Sequence, residues 1–554
     1  MAQLHKDVSY TFPPFSSSSF ATPAVLLLFP IGLLLTKTVS LCGESFKNQE
    51  IGQPLTPFLA PTWRNISFMA RLLDLPDELI VHIIDCLPVS AHFEFAMSCK
   101  RCFACSQDIL RLHRGCALAY GTVLSPSQEI PSLLQTASTD EVAAWNVRSL
   151  DVLLDWLLAP PKSSSIDENE QNRVNALMVS HLHLCEDWHT NFGHNWIFTP
   201  GEFHDDVCTT LLFAFCPRLQ SLELRKAGAE EIQGEADGSC VPSILEAVIC
   251  CISVMPHRPW PVGLQALRKV ELNKEPRSGA ASTPGPIYPP LVSCLLLLPS
   301  LEWLYVDGLH GPECSSKIWT ISATPSNLQH LTLSRPSWEA KHTRRILDRI
   351  KALKSLVLLD WDWDRSAPED VVGHLCDTQS HSLEVLSFSR RMNIKLPGNW
   401  PEFRPCPIGT PSDQVRYPYH LQPLNKPRLV TVNMANLATA VCNKLGLDSH
   451  AYDRVAECAR ALINNLPLTI EILKLIDEPD PAASLNISDL DAVLCELPQS
   501  NLYLDLKVLD LTSLCTSLRW TNMVVTPTVA AARGIKVYMP GQALPAEYVI
   551  SWID

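Results

Sequence analysis

A short pattern returns nine times in this chain of 554 residues, and it limits the folds open to most of the sequence. An apolar residue is followed by two variable residues, an apolar residue, one variable residue and an apolar residue. The copies are Val179-Leu182-Leu184, Leu219-Leu222-Leu224, Leu267-Val270-Leu272, Leu301-Leu304-Val306, Leu328-Leu331-Leu333, Leu353-Leu356-Leu358 and Leu383-Leu386-Phe388, then Ile470-Leu473-Leu475 and Leu506-Leu509-Leu511 after a gap. The last two apolar positions stand two apart, so they share one face of a short strand. The first reaches the same core from the preceding turn. Each copy follows a turn-like or helix-ending segment.

The copies are spaced about 25 to about 50 residues apart, against roughly 20–29 for a leucine-rich repeat. The Asn or Cys that the repeat family places after its strand is mostly missing. Residues 173–554 therefore resemble a degenerate leucine-rich repeat, and the expected fold is an irregular α/β solenoid. Two stretches read as insertions. Residues 273–290 are rich in Pro and Gly. Residues 396–467 begin with a run dense in Pro, which suits neither helix nor central strand, and end with an Ala-rich helical pattern.

Ahead of the array, Leu72 to Arg114 carries a different signal. Leu75, Pro76, Glu78, Leu79, Ile83 and Leu87 fall at three- and four-residue spacings, which predicts a helix with one apolar stripe. Asp74 can cap it and Pro76 suits its first turn, while Asp77 and Glu78 favour the positive end of the dipole. Pro88 closes the helix. A second is expected from about Ser90 to Cys99, with Phe93, Ala96 and Met97 on one side and Lys100 and Arg101 near its negative end. A third holds Phe103, Ile109 and Leu112. So small a three-helix bundle is marginal alone and usually docks on something.

The run LPDEL, then Ile83, Leu87-Pro88 and Ala96 to Arg101, resembles the F-box. The family often has Asp-Leu where this chain has His92-Phe93. The resemblance implies a domain over 70–116 that grips a Skp-type adaptor, and through it a cullin, in a Skp–cullin–F-box ubiquitin ligase. The adaptor-binding residues it implies are Leu75, Pro76, Glu78, Leu79, Ile83, Leu87, Pro88, Phe93, Ala96 and Lys100. The chain would then be a non-catalytic substrate receptor that holds a target protein near the conjugating machinery, raising effective concentration at its lysines. A scaffold without ligase role is the rival reading.

Composition narrows the classes further. A formal net charge of −14 argues against a nucleic-acid binder. The 20 Cys are scattered, often singly in apolar runs such as AVICCISV, which suits free thiols in a reducing compartment, cytoplasmic or nuclear. In residues 1–69 the apolar run from Ala24 to Leu35 is too short to span a bilayer and is broken by Pro30. Met69 reads as the working start, with a mobile tail or upstream extension before it; a membrane anchor and a signal-peptide core are the alternatives. Residues 117–172 read as a helical linker, with helical periodicity over Val142 to Leu158.

Chemistry candidates are few. Cys99, Cys102, Cys105 and Cys116 have metal-like spacing, but they fall among core residue types of the bundle. His181, His183, His189, His194 and His204, with Cys185, Asp205 and Asp206, read as a His-rich exposed loop. No phosphate loop, nucleophile elbow or zinc-protease helix is present, so no metal, cofactor or catalytic set is expected. For the target, side-chain alternation selects Trp303, Tyr305 and Asp307, then His330, Thr332 and Ser355, on the face opposite the buried pairs. Trp361 and Trp363, with Asp362 and Asp364, stand just beyond one strand. Trp and Tyr dominate binding hot spots, and the acids would favour a basic segment; the rival for Trp303 and Trp361 is core filling.

Overall fold

The computed structural model describes residues 72, 74–124, 130–154, 180, 204–226, 244–253, 260–273, 287, 289–308, 325–334, 340–359, 368–389, 421–433, 465–476, 491–492, 494–514 and 523–548. The chain divides into two compact units after Leu112.

The first unit is helical. Helix α1 spans Asp77–Asp85, a 3-10 turn Val89–Ala91, α2 His92–Ser98 and α3 Lys100–Cys105. Helix α4, Gln107–Tyr120, runs past the boundary. The expected third helix is thus two, because Ser106 (φ −86°, ψ 0°) ends α3 before α4 begins, while Cys99 is extended (φ −161°, ψ 165°) and closes α2. Lys100 and Arg101 accordingly open a helix instead of closing one.

The second unit is built on parallel strands. They are β1 Thr122–Leu124, β2 Ser149–Leu154, β3 Ser221–Lys226, β4 Lys269–Leu272, β5 Trp303–Asp307 and β6 His330–Ser334. Then follow β7 Ser355–Leu359, β8 Val385–Ser389, β9 Leu429–Asn433, β10 Ile472–Ile476, β11 Val508–Ser513 and β12 Lys536–Tyr538. They form one sheet whose strand order follows chain order. Among the described residues, helices lie in several of the connections. They are α5 Ile130–Thr139, α6 Glu141–Asn146, α7 His204–Phe215, α8 Ile244–Ser253, α9 Val262–Ala266 and α10 Pro289–Leu295. Later come α11 Ala340–Asp348, α12 Pro368–Thr378, α13 Glu496–Gln499 and α14 Val525–Ala532.

Register explains the repeated pattern. Its middle residues stack strand on strand as one ladder: Leu150, Leu222, Val270, Leu304, Leu331, Leu356, Leu386, Val430, Leu473, Leu509 and Val537. From Leu150 to Leu509 every member is buried. The third apolar positions stack alongside and the first ones, such as Leu301, Leu328 and Leu353, are buried too, in one core running from Ile130 to Ile535. The copy at Val179 lies outside the described residues.

Three boundaries need correction. Val142 to Leu158 is not one helix: α6 ends at Asn146 and β2 follows. Val147, Leu150 and Val152 are another copy of the pattern, and all three are buried. Pairing with β1 and β3 overrides the local helical periodicity there, so 117–172 is no purely helical linker. Residues 396–467 are no simple insertion, because β9 lies within them and pairs with both β8 and β10. Its Val430 and Val432 fit the pattern, with Pro427 at the first position. Residues 273–290 likewise have buried ends, at Asn273 and Ile287. The Ala-rich helical pattern after β9 lies outside the described residues.

A second ladder runs along the edge where strands begin. Lys354, Glu384, Arg428, Glu471 and Lys507 each stand just before a strand, and the backbone N–H of each donates to the carbonyl of the one before it at 2.7–2.8 Å, beginning with Glu384 to Lys354. Their charges alternate in sign. Glu471 is gripped from both sides, by Arg428 at 2.8 Å and Lys507 at 2.9 Å. These pairs hold the Glu471 carboxyl below its usual range, with the Arg428 hydrogen bond the largest cause. Opposite charges facing across strands favour this register over a slipped one.

One helix contact depends on glycine. In α9 a β-carbon at Gly263 would sit 2.8 Å from the Phe213 carbonyl oxygen and 3.0 Å from that of Cys216, both at the end of α7. Backbone cannot yield as a side-chain tip can. Gly263→Ala should therefore lower stability by about 1–3 kcal/mol, although the same change in a free helix is favourable. Urea unfolding would show it, and an unchanged or higher midpoint would refute the close approach.

Candidate functional site

The helical unit holds its own small core. Ile80 and Ile84, one turn apart on α1, bury against Leu72, Phe95 and Cys102. Leu75, Ile83 and Leu87 pack partly against them. Pro76, not Asp74, is the residue that caps α1, and it makes no side-chain cap bond. Asp77 turns instead to Arg101, whose guanidinium lies 2.6 Å from its carboxylate. The same Arg101 donates to the Leu75 carbonyl at 2.6 Å. One side chain thus ties the start of α1 to the start of α3. Asp77 is held below the usual carboxylate range by the Arg101 hydrogen bond and charge.

The Cys run has a structural use. The Cys99 sulfur accepts from the Cys102 backbone N–H at 3.3 Å and so caps α3. That bond is the main cause that lowers Cys99, whereas burial raises Cys102. No group of three or more metal-ligating side chains lies among the described residues.

Apolar side chains left outside this core mark the candidate surface. Leu79 is 48% exposed, Phe93 41% and Met97 80%, with Val81 and Phe103 also exposed. So many large apolar groups in the open on so small a unit indicate a docking face. Of the expected contact residues, Pro76, Glu78, Leu79, Pro88, Phe93 and Lys100 are exposed, while Leu75, Ile83 and Leu87 are half-buried. Ala96 is corrected: it is buried, and so are its neighbours His92 and Phe95 on α2. The expected grouping of Phe93, Ala96 and Met97 on one side therefore fails, because positions 92, 95 and 96 face inward while 93 and 97 face out. His92 is held in its buried place by a 3.1 Å bond between its ring Nε2 and the Leu87 carbonyl.

The expected target positions on the sheet divide. Trp303 and Tyr305 are partly exposed on β5. The Lys269 ammonium stands 4.5 Å from the centre of a Trp303 ring, and the His330 ring lies 6.2 Å away. Asp307 is fully buried, so it is not a surface acid for a basic segment. Thr332 and Ser355 are buried too. Their face of the sheet is covered near its middle, where Val357, Ser387 and Thr431 are also buried. Trp361, Asp362, Trp363 and Asp364, and the expected His-rich loop up to His194, lie outside the described residues, while His204, Asp205 and Asp206 open α7 instead of a loop.

Residues 72–113 match the family model of the F-box domain. The chain therefore carries an F-box domain, and this domain accounts for the described residues of the first unit. F-box domains bind Skp-type adaptors, and proteins that carry them generally serve as adaptor subunits in protein interaction and not as enzymes. No curated protein matches the chain in a sequence comparison.

Among the described residues no helix is long and apolar enough to cross a membrane.

Proposed function

We propose that this chain is the substrate-recognition subunit of a Skp–cullin–F-box ubiquitin ligase, and that its second unit is a leucine-rich-repeat-like solenoid that holds the target. The F-box match carries the reading, and the exposed Leu79, Phe93 and Met97 support it. In a complex these side chains leave water, each contributing on the order of 1–3 kcal/mol. A sheet whose strands stack in chain order, with β2 to β11 each on one copy of the pattern, supports the solenoid. The receptor performs no chemistry. It brings target lysines close to a ubiquitin-conjugating enzyme on the cullin, in the cytoplasm or nucleus. Trp303 and Tyr305 on the sheet, and Trp361 and Trp363 beyond β7, belong to the target face.

Leu79→Asp tests the docking face. The side chain is half exposed, so the isolated unit tolerates the charge, but an adaptor interface would bury it unpaired. Capture of a purified Skp-type adaptor should weaken at least tenfold with the circular dichroism of the protein unchanged. Equal capture by both proteins would remove Leu79 from the interface. Recovery of adaptor without cullin from cells would favour the scaffold reading instead.

A further inference from the structure

Two thiols of the helical unit stand side by side at the break between α2 and α3. Cys99 is extended and lies outside both helices, so its side chain folds back over the first turn of α3. There its sulfur accepts from the Cys102 backbone N–H at 3.3 Å. The Cys99 and Cys102 sulfurs also hydrogen-bond to each other. Cys102 is fully buried in the core with Ile80, Ile84 and Phe95, whereas Cys99 is half-buried against that core. Both are free thiols.

The two sulfurs differ in what they can do. The thiolate is the nucleophile in thiol chemistry, and a sulfur held below its usual pKa supplies more of it. Cys99 is the lowered one, chiefly through the Cys102 N–H bond, and it is the one that solvent reaches. Cys102 is raised by burial and shielded from solvent, yet it lies against Cys99. Cys105 cannot replace Cys99 as its partner. Cys102 and Cys105 both sit within α3, where β-carbons three residues apart are about 5–6 Å apart, against the roughly 3.5–4.5 Å of a disulfide. Cys99 escapes that limit because it is not helical. In a reducing compartment a disulfide between such residues is transient and serves sensing or catalysis, not structure.

We infer that Cys99 and Cys102 form a site of reversible oxidation, at which a hydroperoxide converts the two thiols into a disulfide. The Cys99 thiolate attacks the terminal oxygen of the peroxide. An S–O bond forms, the O–O bond breaks, and the alcohol or water leaves with the thiol proton. The Cys102 sulfur then attacks the sulfur of the Cys99 sulfenic acid. The S–S bond forms, the S–O bond breaks, and the hydroxyl leaves as water with the Cys102 proton. The two thiols together lose two electrons, and the peroxide gains them. The bond closes around Arg101, which braces the start of α1. The site stands on the helical unit and does not depend on the adaptor reading.

The test is titration of the reduced full chain with limiting hydrogen peroxide, without adaptor, followed by alkylation and trypsin. Trypsin cuts after Lys100 and after Arg101, so the peptide ending at Lys100 and the one beginning at Cys102 stay together only if bridged. They should stay together through Cys99 and Cys102, as located by fragmentation, and part when a dithiol reductant is added. Cys99 should react at least tenfold faster than the exposed Cys86 of the same peptide, and this lead should vanish in urea. In C102A, Cys99 should stop as a sulfenic acid that a 1,3-diketone captures. The wild-type map decides the site whether or not C102A folds. Cys99 and Cys102 both still alkylated once Cys86 has oxidised, a bridge from Cys99 to Cys86 or Cys105, an equal lead in urea, or no capture by a folded C102A each overturn it.

Discussion

Leu331→Asp should unfold the sheet unit outright. Leu331 is fully buried at the centre of the ladder, between Leu304 on β5 and Leu356 on β7. Losing the side chain alone costs about 2–5 kcal/mol at a core Leu. A carboxylate there finds no water, and its burial or forced protonation adds several kcal/mol. The total reaches the about 5–15 kcal/mol of a whole domain's stability. Because one core runs through the sheet, the loss spreads to neighbouring strands as edges are exposed. Far-ultraviolet circular dichroism at 25 °C should show lost strand signal, while Leu331→Ala stays folded with a lower urea midpoint. Wild-type melting of Leu331→Asp would mean that the stacked positions do not form the core.

Asp491→Ala should cost about 2–4 kcal/mol, combining the loss of a helix cap with that of charge-assisted hydrogen bonds. Only 4% of Asp491 is exposed. Its carboxylate accepts from the N–H groups of Val524 and Val525 at 2.9 and 2.8 Å through one oxygen, and from Thr526 at 2.7 Å through the other. These are the opening donors of α14, and the next residue, Pro527, has none to offer. A residue more than 30 positions upstream thus closes the helix start. Removing it strands three N–H groups. Burial by itself raises the Asp491 carboxyl, but the Thr526 hydrogen bonds and those of the other two N–H groups outweigh it, and the net shift is downward. The folded pKa lies below the unfolded value of about 3.9. The stabilisation is therefore complete above that pH and is lost as pH falls through the folded value. Melting curves from pH 6 to pH 2.5 should converge for wild type and Asp491→Ala at the acid end. Parallel curves would show that the carboxylate charge contributes nothing.

Much of the architecture was readable because it rests on local periodicity. The strands at Leu222, Val270, Leu304, Leu331, Leu356, Leu386, Leu473 and Leu509 all fall on copies of one pattern, since a strand core needs only alternation and a buried residue just ahead of it. The strands at Leu150 and Val430 were hidden. Around the first, Trp145 and the Leu run at 153–154 give an equally good helical spacing. Around the second, dense Pro upstream masked Pro427-Val430-Val432. The alternating charges from Lys354 to Lys507 were also present in the sequence, but they acquire meaning only once those positions are known to be neighbours.

The helical unit divides along the same line. The proline, the acidic first turn and the apolar stripe of α1 specify a helix start through short-range forces, and they were enough to suggest the F-box. Which stripe residues turn inward was not settled there. Leu79 and Ile80 are adjacent and equally apolar, yet Ile80 joins Phe95 and Cys102 while Leu79 stays half in water. Arg101 reaching back to Asp77 and Asp491 reaching forward to Thr526 share one origin. Each joins residues more than 20 positions apart. Chain-local preferences carry no information about such meetings, which exist only after burial of the apolar faces has brought the segments together.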